Sequence, residues 1–304
     1  MKNKSKKNRN KLNKIFKSRN RKIKGGNPLN TNSAIIYVLW SKQGFFSVFG
    51  YMLRVYLFAK EKHVPFFIEH NNWQYTYKNG WHDYFKTLNV YDNNSKYTNI
   101  ERYENEAEYN GSKVPLYTIK EYINAIKEIF ILNDNLQDFI NNFIKNIGRD
   151  YMSIYIRRGD KIVDGPLPSI DEILKQTTIM DDGTPIFVQT DDYTIIEEME
   201  KKFPSCKIFT LTEKDERGSN NHKLLDATPD ERKKNTDNFL CACAITSKAK
   251  IGWSYYDSNV GIFIKLLGYY TIKLYIDNRR TKEEIDNIMN LNYKGHPGYL
   301  KNKY

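Results

Sequence analysis

Short apolar runs that close on charged or polar residues, each separated from the next by a helix-length segment, constrain this 304-residue chain more than any other feature. The first run, Ala34-Ile35-Ile36-Tyr37-Val38-Leu39-Trp40, is nearly continuous in apolar residues, as a strand buried on both faces is. Gly44 then opens Phe45 to Lys60, where Phe49, Met52, Leu53, Tyr56 and Leu57 recur at helical spacing. His63-Val64-Pro65-Phe66-Phe67-Ile68-Glu69 reads as the next strand. Strand, glycine turn, helix and strand in this order make a βαβ unit of the Rossmann kind.

The alternation returns in the second half. Between the halves, residues 70–118 are polar, aromatic and turn-rich, and read as binding loops at the top of a sheet. Tyr117 to Ile147 carries two helical patterns split by Asn133-Asp134-Asn135, whose side chains favour turns and helix caps. A domain boundary is expected at Gly148. Beyond it, strands are predicted at 151–157, Pro185 to Gln189, Lys207 to Leu211, Ala249 to Trp253 and Ile272 to Ile276. Helices are predicted at Ser169 to Thr177, Tyr193 to Lys202, Asp237 to Lys248, Asn259 to Leu267 and Thr281 to Met289. Strands alternating with helices imply an α/β fold with parallel sheets covered on both faces.

Three of these strands end in polar clusters. The strand at 151–157 leads into Arg157-Arg158-Gly159-Asp160-Lys161, the next strand into Thr190-Asp191-Asp192, and a third into Ser254, Asp257, Ser258 and Asn259. In an open α/β sheet all three meet at the carboxyl edge, where ligands bind. Guanidinium forks bind phosphate oxygens bidentately and lysine adds a point charge, so the first cluster suits a diphosphate. The same residues also read as a solvated strand end with a surface ion pair. The acidic pair can accept from ribose hydroxyls or hold a divalent metal; beside so many cations the metal-free reading is preferred. A helix starting near Ser258 would aim backbone N–H groups at an anion.

Charge separates a tail from a body. The formal net charge is +12, and residues 1–26 hold twelve Lys or Arg and no acid. The 36 basic residues that remain balance the 36 acidic ones. The body therefore lacks the footprint of a nucleic-acid binder, and the tail is expected to be disordered, serving solubility or weak contact with anionic surfaces or nucleic acid. No run of 18 apolar residues occurs, so a soluble intracellular protein without a membrane anchor is expected. Cys206, Cys241 and Cys243 read as buried free thiols, and the five histidines show no metal-ligand spacing.

Ile156-Arg157-Arg158-Gly159-Asp160-Lys161 resembles the first motif of the α1,6-fucosyltransferase superfamily, which includes core N-glycan and nodulation fucosyltransferases. Phe187 to Asp192 is similar to its second motif and Ser258-Asn259-Val260 to its third. Gly44 with its helix, Asn72-Trp73 and Gly80-Trp81-x-x-x-Phe85 follow the family's order, so the resemblance covers residues 33–270. It implies a GT-B-like fold: two Rossmann-type domains facing a central cleft, here 31–148 on the acceptor side and 149–280 for the nucleotide sugar. A disordered basic tail (1–30) and a C-terminal helix or tail (281–304) flank them.

The resemblance also implies a metal-independent, inverting transfer from GDP-fucose, with no cofactor, to a glycan or glycoconjugate hydroxyl. By position, Arg157, Arg158 and Lys161 hold the diphosphate, with Arg158 and Lys161 catalytic. Asp191 and Asp192 contact the nucleoside, and Gly44, Ser258 and Asn259 line the phosphate site. Trp73 and Trp81 are the candidates for the acceptor, or else pack beneath their loops. The chain departs from the family at Tyr155, where the family has His, and at Ala242, sixteen residues before Ser258, where it has Asp. Both positions help to read guanine there, so Tyr155 belongs to the donor site while the base stays open. The family's glutamate falls on Gly165, leaving Asp164 as the candidate proton acceptor. A transferase for a different nucleotide sugar, a glycan-binding relative without catalysis, and a protein acting on nucleic acid through its tail are the alternatives.

Overall fold

The computed structural model describes residues 32–40, 43–92, 96–104, 108–109, 112–159, 167–218, 226–256 and 258–275. The tail, Asp160, Lys161, Asp164, Gly165, Asp257 and the helix expected at 281–289 lie outside them. Sheet one contains β1 (Ser33–Val38), β2 (Phe66–Glu69), β3 (Asn89–Val90) and β4 (Asn99–Tyr103), in the order β3-β2-β1-β4. Sheet two contains β7 (Met152–Ile156), β8 (Ile186–Thr190), β9 (Ile208–Phe209), β10 (Ile251–Tyr255) and β11 (Ile272–Tyr275), in the order β11-β10-β7-β8-β9. A short antiparallel hairpin, β5 (Glu108–Tyr109) with β6 (Ser112–Lys113), stands apart.

Every pairing within the two sheets is parallel. In each, the first strand lies inside, the next two step outward on one side, and the fourth crosses to the other. That is the Rossmann order, twice over, and it opens a crevice at the carboxyl edge where the direction reverses. In sheet two the reversal falls between β7 and β10, with Tyr155 opposite Ser254. Strands β7 and β8 are buried along their whole length, which is why they read as unbroken apolar runs.

Seven helices are found among the described residues: α1 (Phe45–Lys62), α2 (Ile119–Ile129), α3 (Asp134–Ile147), α4 (Ile170–Leu174), α5 (Thr194–Lys202), α6 (Pro229–Ser247) and α7 (Asn259–Leu267). Helix α1 stops where His63 turns left-handed at φ 55°. Helix α6 begins eight residues before the expected Asp237. Its first two turns are polar and show no apolar stripe, but Thr228 and Glu231 form a reciprocal capping box with Pro229 in the first turn. Strand β4 lies within the stretch expected to be loop. It is an edge strand, largely polar, held by Lys62 to Glu101 at 3.1 Å and Arg102 to Glu69 at 3.4 Å, so apolar alternation does not mark it.

The core runs without a break through both halves. Phe46 of α1 stacks on Phe263 of α7 at 3.9 Å between ring centroids, and Phe239 of α6 packs on Phe45 and Phe46. Helix α3 covers sheet two, where Phe143 meets Phe187 and Phe209. The three cysteines are buried and unpaired, and burial pushes the Cys241 and Cys243 thiols up to about 12.

Candidate functional site

The carboxyl ends of β7, β8 and β10 bring the polar clusters together. Register places Ile156 opposite Thr190, so Arg157 and Asp191 leave adjacent strands at the same height. The Arg157 guanidinium is paired with the Asp191 carboxylate, both side chains largely shielded from solvent. The other oxygen of Asp191 accepts from the Arg158 backbone N–H at 2.8 Å. One carboxylate therefore holds the first guanidinium and fixes the backbone that carries the second. Among the described residues no carboxylate holds the Arg158 side chain.

Asp192 turns elsewhere. Its Oδ1 accepts from the Thr194 N–H at 3.0 Å and the Thr194 hydroxyl at 2.8 Å, an Asx turn that starts α5. The two aspartates thus have separate partners, and among the described residues no group of three or more His, Cys, Asp or Glu is placed to hold a metal ion.

Across the crevice, α7 begins at Ser258. A methyl group on Gly261 would sit 1.8 Å from the Tyr255 carbonyl oxygen, so only glycine lets the first turn press onto the end of β10. Ser258 caps no helix N–H; its buried hydroxyl lies 3.3 Å from the Tyr155 hydroxyl. The Tyr155 carbonyl accepts from the Tyr275 hydroxyl at 2.9 Å, and burial holds the Tyr155 phenol far above its usual range. The Ser258 side chain therefore leaves the first-turn N–H groups of α7 uncapped, at the carboxyl end of β10. The neighbouring Asn259 has a buried carbonyl oxygen without a partner among the described residues.

A loop that the sequence did not single out, residues 211–218, closes the site on the β8 side. The Thr212 hydroxyl donates to the Thr190 carbonyl at 2.7 Å, Gly218 N–H to the Asp191 carbonyl at 2.7 Å, and Tyr193 N–H to the Glu216 carbonyl at 3.0 Å. A Cβ on Gly218 would lie 2.7 Å from the Cα of Gly159, and both glycines have positive φ. The loop therefore touches the arginine cluster directly. Only its turn-rich composition, ending in Gly218, hints at this in the sequence.

In the first half, Gly44 heads α1 at φ −59° with nothing within 4 Å of where a Cβ would be. Trp73 and Trp81, expected as acceptor-facing rings, are interior: they are 4% and 1% exposed. Trp81 stacks on Phe85 at 4.2 Å and donates its indole N–H to the Thr87 carbonyl, and Trp73 packs on Phe45 and Tyr75. Large rings at that position gain more from filling the space under the loop than from standing in water. Both rings pack beneath their loops, the other of the two places expected for them. Ala242, at the other departure, is buried on α6 beside Cys243, whose sulfur accepts from Gln189.

Two parallel sheets of Rossmann order, joined core to core, with polar strand ends at a switch point, make this an α/β protein of GT-B architecture. Its fold is that of the α1,6-fucosyltransferases. The chain is similar to the NodZ α1,6-fucosyltransferase soaked with GDP-fucose, with a TM-score of 0.51 over 76% of this chain and 92% of that one, at 8% identity. It is similar to the fucosyltransferase NodZ from Bradyrhizobium with a TM-score of 0.50, the same coverage of both chains and 10% identity. The form of NodZ co-crystallised with GDP gives 0.50 at 9% identity. No family model and no curated protein matches the sequence. Among the described residues no helix is long and apolar enough to cross a membrane.

Proposed function

We propose that this protein is a glycosyltransferase that moves a sugar, with inversion, from a nucleoside diphosphate donor to a glycan hydroxyl. GDP-fucose is the favoured donor. The observation that carries the reading is the arrangement at the end of β7: Asp191 organises two consecutive arginines beside the uncapped start of α7, at the switch point of the sheet. Such a site suits a diphosphate, since guanidinium groups and helix N–H groups act together on phosphate oxygens. Two of the solved structures that share the fold, one soaked with GDP-fucose and one co-crystallised with GDP, support guanosine as the first nucleoside to test.

In the proposed reaction the acceptor oxygen bonds to the anomeric carbon as the bond from that carbon to the β-phosphate oxygen breaks. Negative charge grows on the departing diphosphate, where Arg158, Lys161 and the α7 terminus would stabilise it. The acceptor hydroxyl loses its proton to a carboxylate, for which Asp164 is the proposed residue. No cofactor is required, because the nucleotide sugar is itself a substrate.

Thermal unfolding measured with GDP, UDP, CDP and their sugars tests this. Stabilisation by GDP and GDP-fucose is expected in the wild type and should be lost in Arg158→Ala. A wild type that responds to no nucleotide, or an Arg158→Ala variant that transfers sugar normally, removes the reading.

A further inference from the structure

The nucleoside of a ligand whose diphosphate lies at the first strand of a Rossmann sheet extends over the second strand, where a carboxylate takes the ribose hydroxyls. Here the second strand is β8, and both of its terminal aspartates are engaged: Asp191 with Arg157 and the Arg158 N–H, Asp192 with the first turn of α5. A third carboxylate lies over the same strand end. Glu216 stands on the loop pinned to Thr190, Asp191 and Tyr193, and that loop touches Gly159. One oxygen of Glu216 accepts from the Glu213 N–H at 2.9 Å, which fixes the carboxylate, and the other has no partner among the described residues.

We infer that Glu216 is the ribose-binding residue of this site, its second oxygen accepting from the vicinal hydroxyls of a ribonucleoside diphosphate. The inference rests on the donor-site reading above. A vicinal diol matches a carboxylate because each hydroxyl donates one hydrogen bond to an acceptor that has no proton of its own. Glu216 is also half-buried among like charges: burial, together with Asp191, Glu213 and Asp215, raises its carboxyl above the usual range. Nearby cations are engaged elsewhere, Lys234 with Glu213 at 2.9 Å and Arg217 with the Lys214 and Glu216 carbonyls.

Titration calorimetry of the full chain with GDP, 2′,3′-dideoxy-GDP and inorganic pyrophosphate tests the inference. Glu216→Gln keeps an oxygen for the Glu213 N–H and removes the charge. It should weaken GDP binding about tenfold while dideoxy-GDP and pyrophosphate bind as they do to the wild type. Asp215→Asn, the control at an exposed carboxylate of the same loop, should leave the preference for GDP over dideoxy-GDP intact. Equal effects of Glu216→Gln on GDP and dideoxy-GDP, or loss of the preference in Asp215→Asn alone, would overturn the assignment and leave the donor site standing. A wild type that binds pyrophosphate but neither nucleotide would overturn both.

Discussion

At Gly44 and Glu216 the fold and the proposed donor site make separate demands on a single residue. Gly44 adopts φ −59° and ψ 147°, a conformation open to any residue, and a Cβ there would meet nothing. As the N-cap of α1, glycine is modestly better than alanine; close approach of the proposed nucleotide would give a second reason for it. Gly44→Ala should change the melting temperature little, the N-cap loss offsetting the lower entropy of the unfolded chain, while GDP binding weakens several-fold, about 1 kcal/mol. Unchanged GDP binding in a folded variant would free Gly44 from the site. Glu216 carries the opposite tension. A carboxyl whose folded pKa is raised contributes stability only while protonated, and that contribution is lost as pH rises through the folded pKa. Near pH 7 the charge burdens the fold, so Glu216→Gln should melt higher than the wild type, with the gain shrinking as the pH is lowered. A lower melting temperature at pH 7 would contradict the burial described for this side chain.

The site depends on how helices begin. Helix α7 reaches the end of β10 only because Gly261 has no side chain, and Ser258 turns to Tyr155 instead of capping the first turn. Gly261→Ala places a methyl against backbone, which cannot move aside as a flexible side chain could. A loss of about 2 kcal/mol or more in chemical denaturation is expected, together with weaker nucleotide binding. Helix α6 starts on a different device, the Thr228–Glu231 capping box. This start was legible in Thr-Pro-x-Glu, although apolar periodicity pointed eight residues later. Thr228→Ala should cost about 1 kcal/mol in the same measurement. Strand β4 was less legible: an edge strand of mixed polarity gains its place from pairing with β1 and from two ion pairs, which a local pattern does not contain.

The two Rossmann sheets share one core, and among the described residues the Phe46–Phe263 stack is the closest ring pair across it. Phe263→Ala should cost about 3–5 kcal/mol, and both halves should still unfold in a single calorimetric transition at a lower temperature. Two separated transitions in the wild type would show that the halves are energetically independent. Strands β1, β2 and β7 to β11, the glycine that opens α1, and the three polar strand ends were readable because each is local: a buried parallel strand must be apolar along its length, and a charge cannot continue it into the core. The meeting of Arg157 with Asp191 was implied by strand alternation, but its form was not. That Asp191 would serve the arginines, that Asp192 would be spent on α5, that Trp73 and Trp81 would turn inward, and that residues 211–218 would close the site were decided by tertiary structure. These outcomes depend on strand register, on the space left under a loop and on which buried charge finds a partner first. Those are relations between segments far apart in the chain, which the local pattern of residues does not encode.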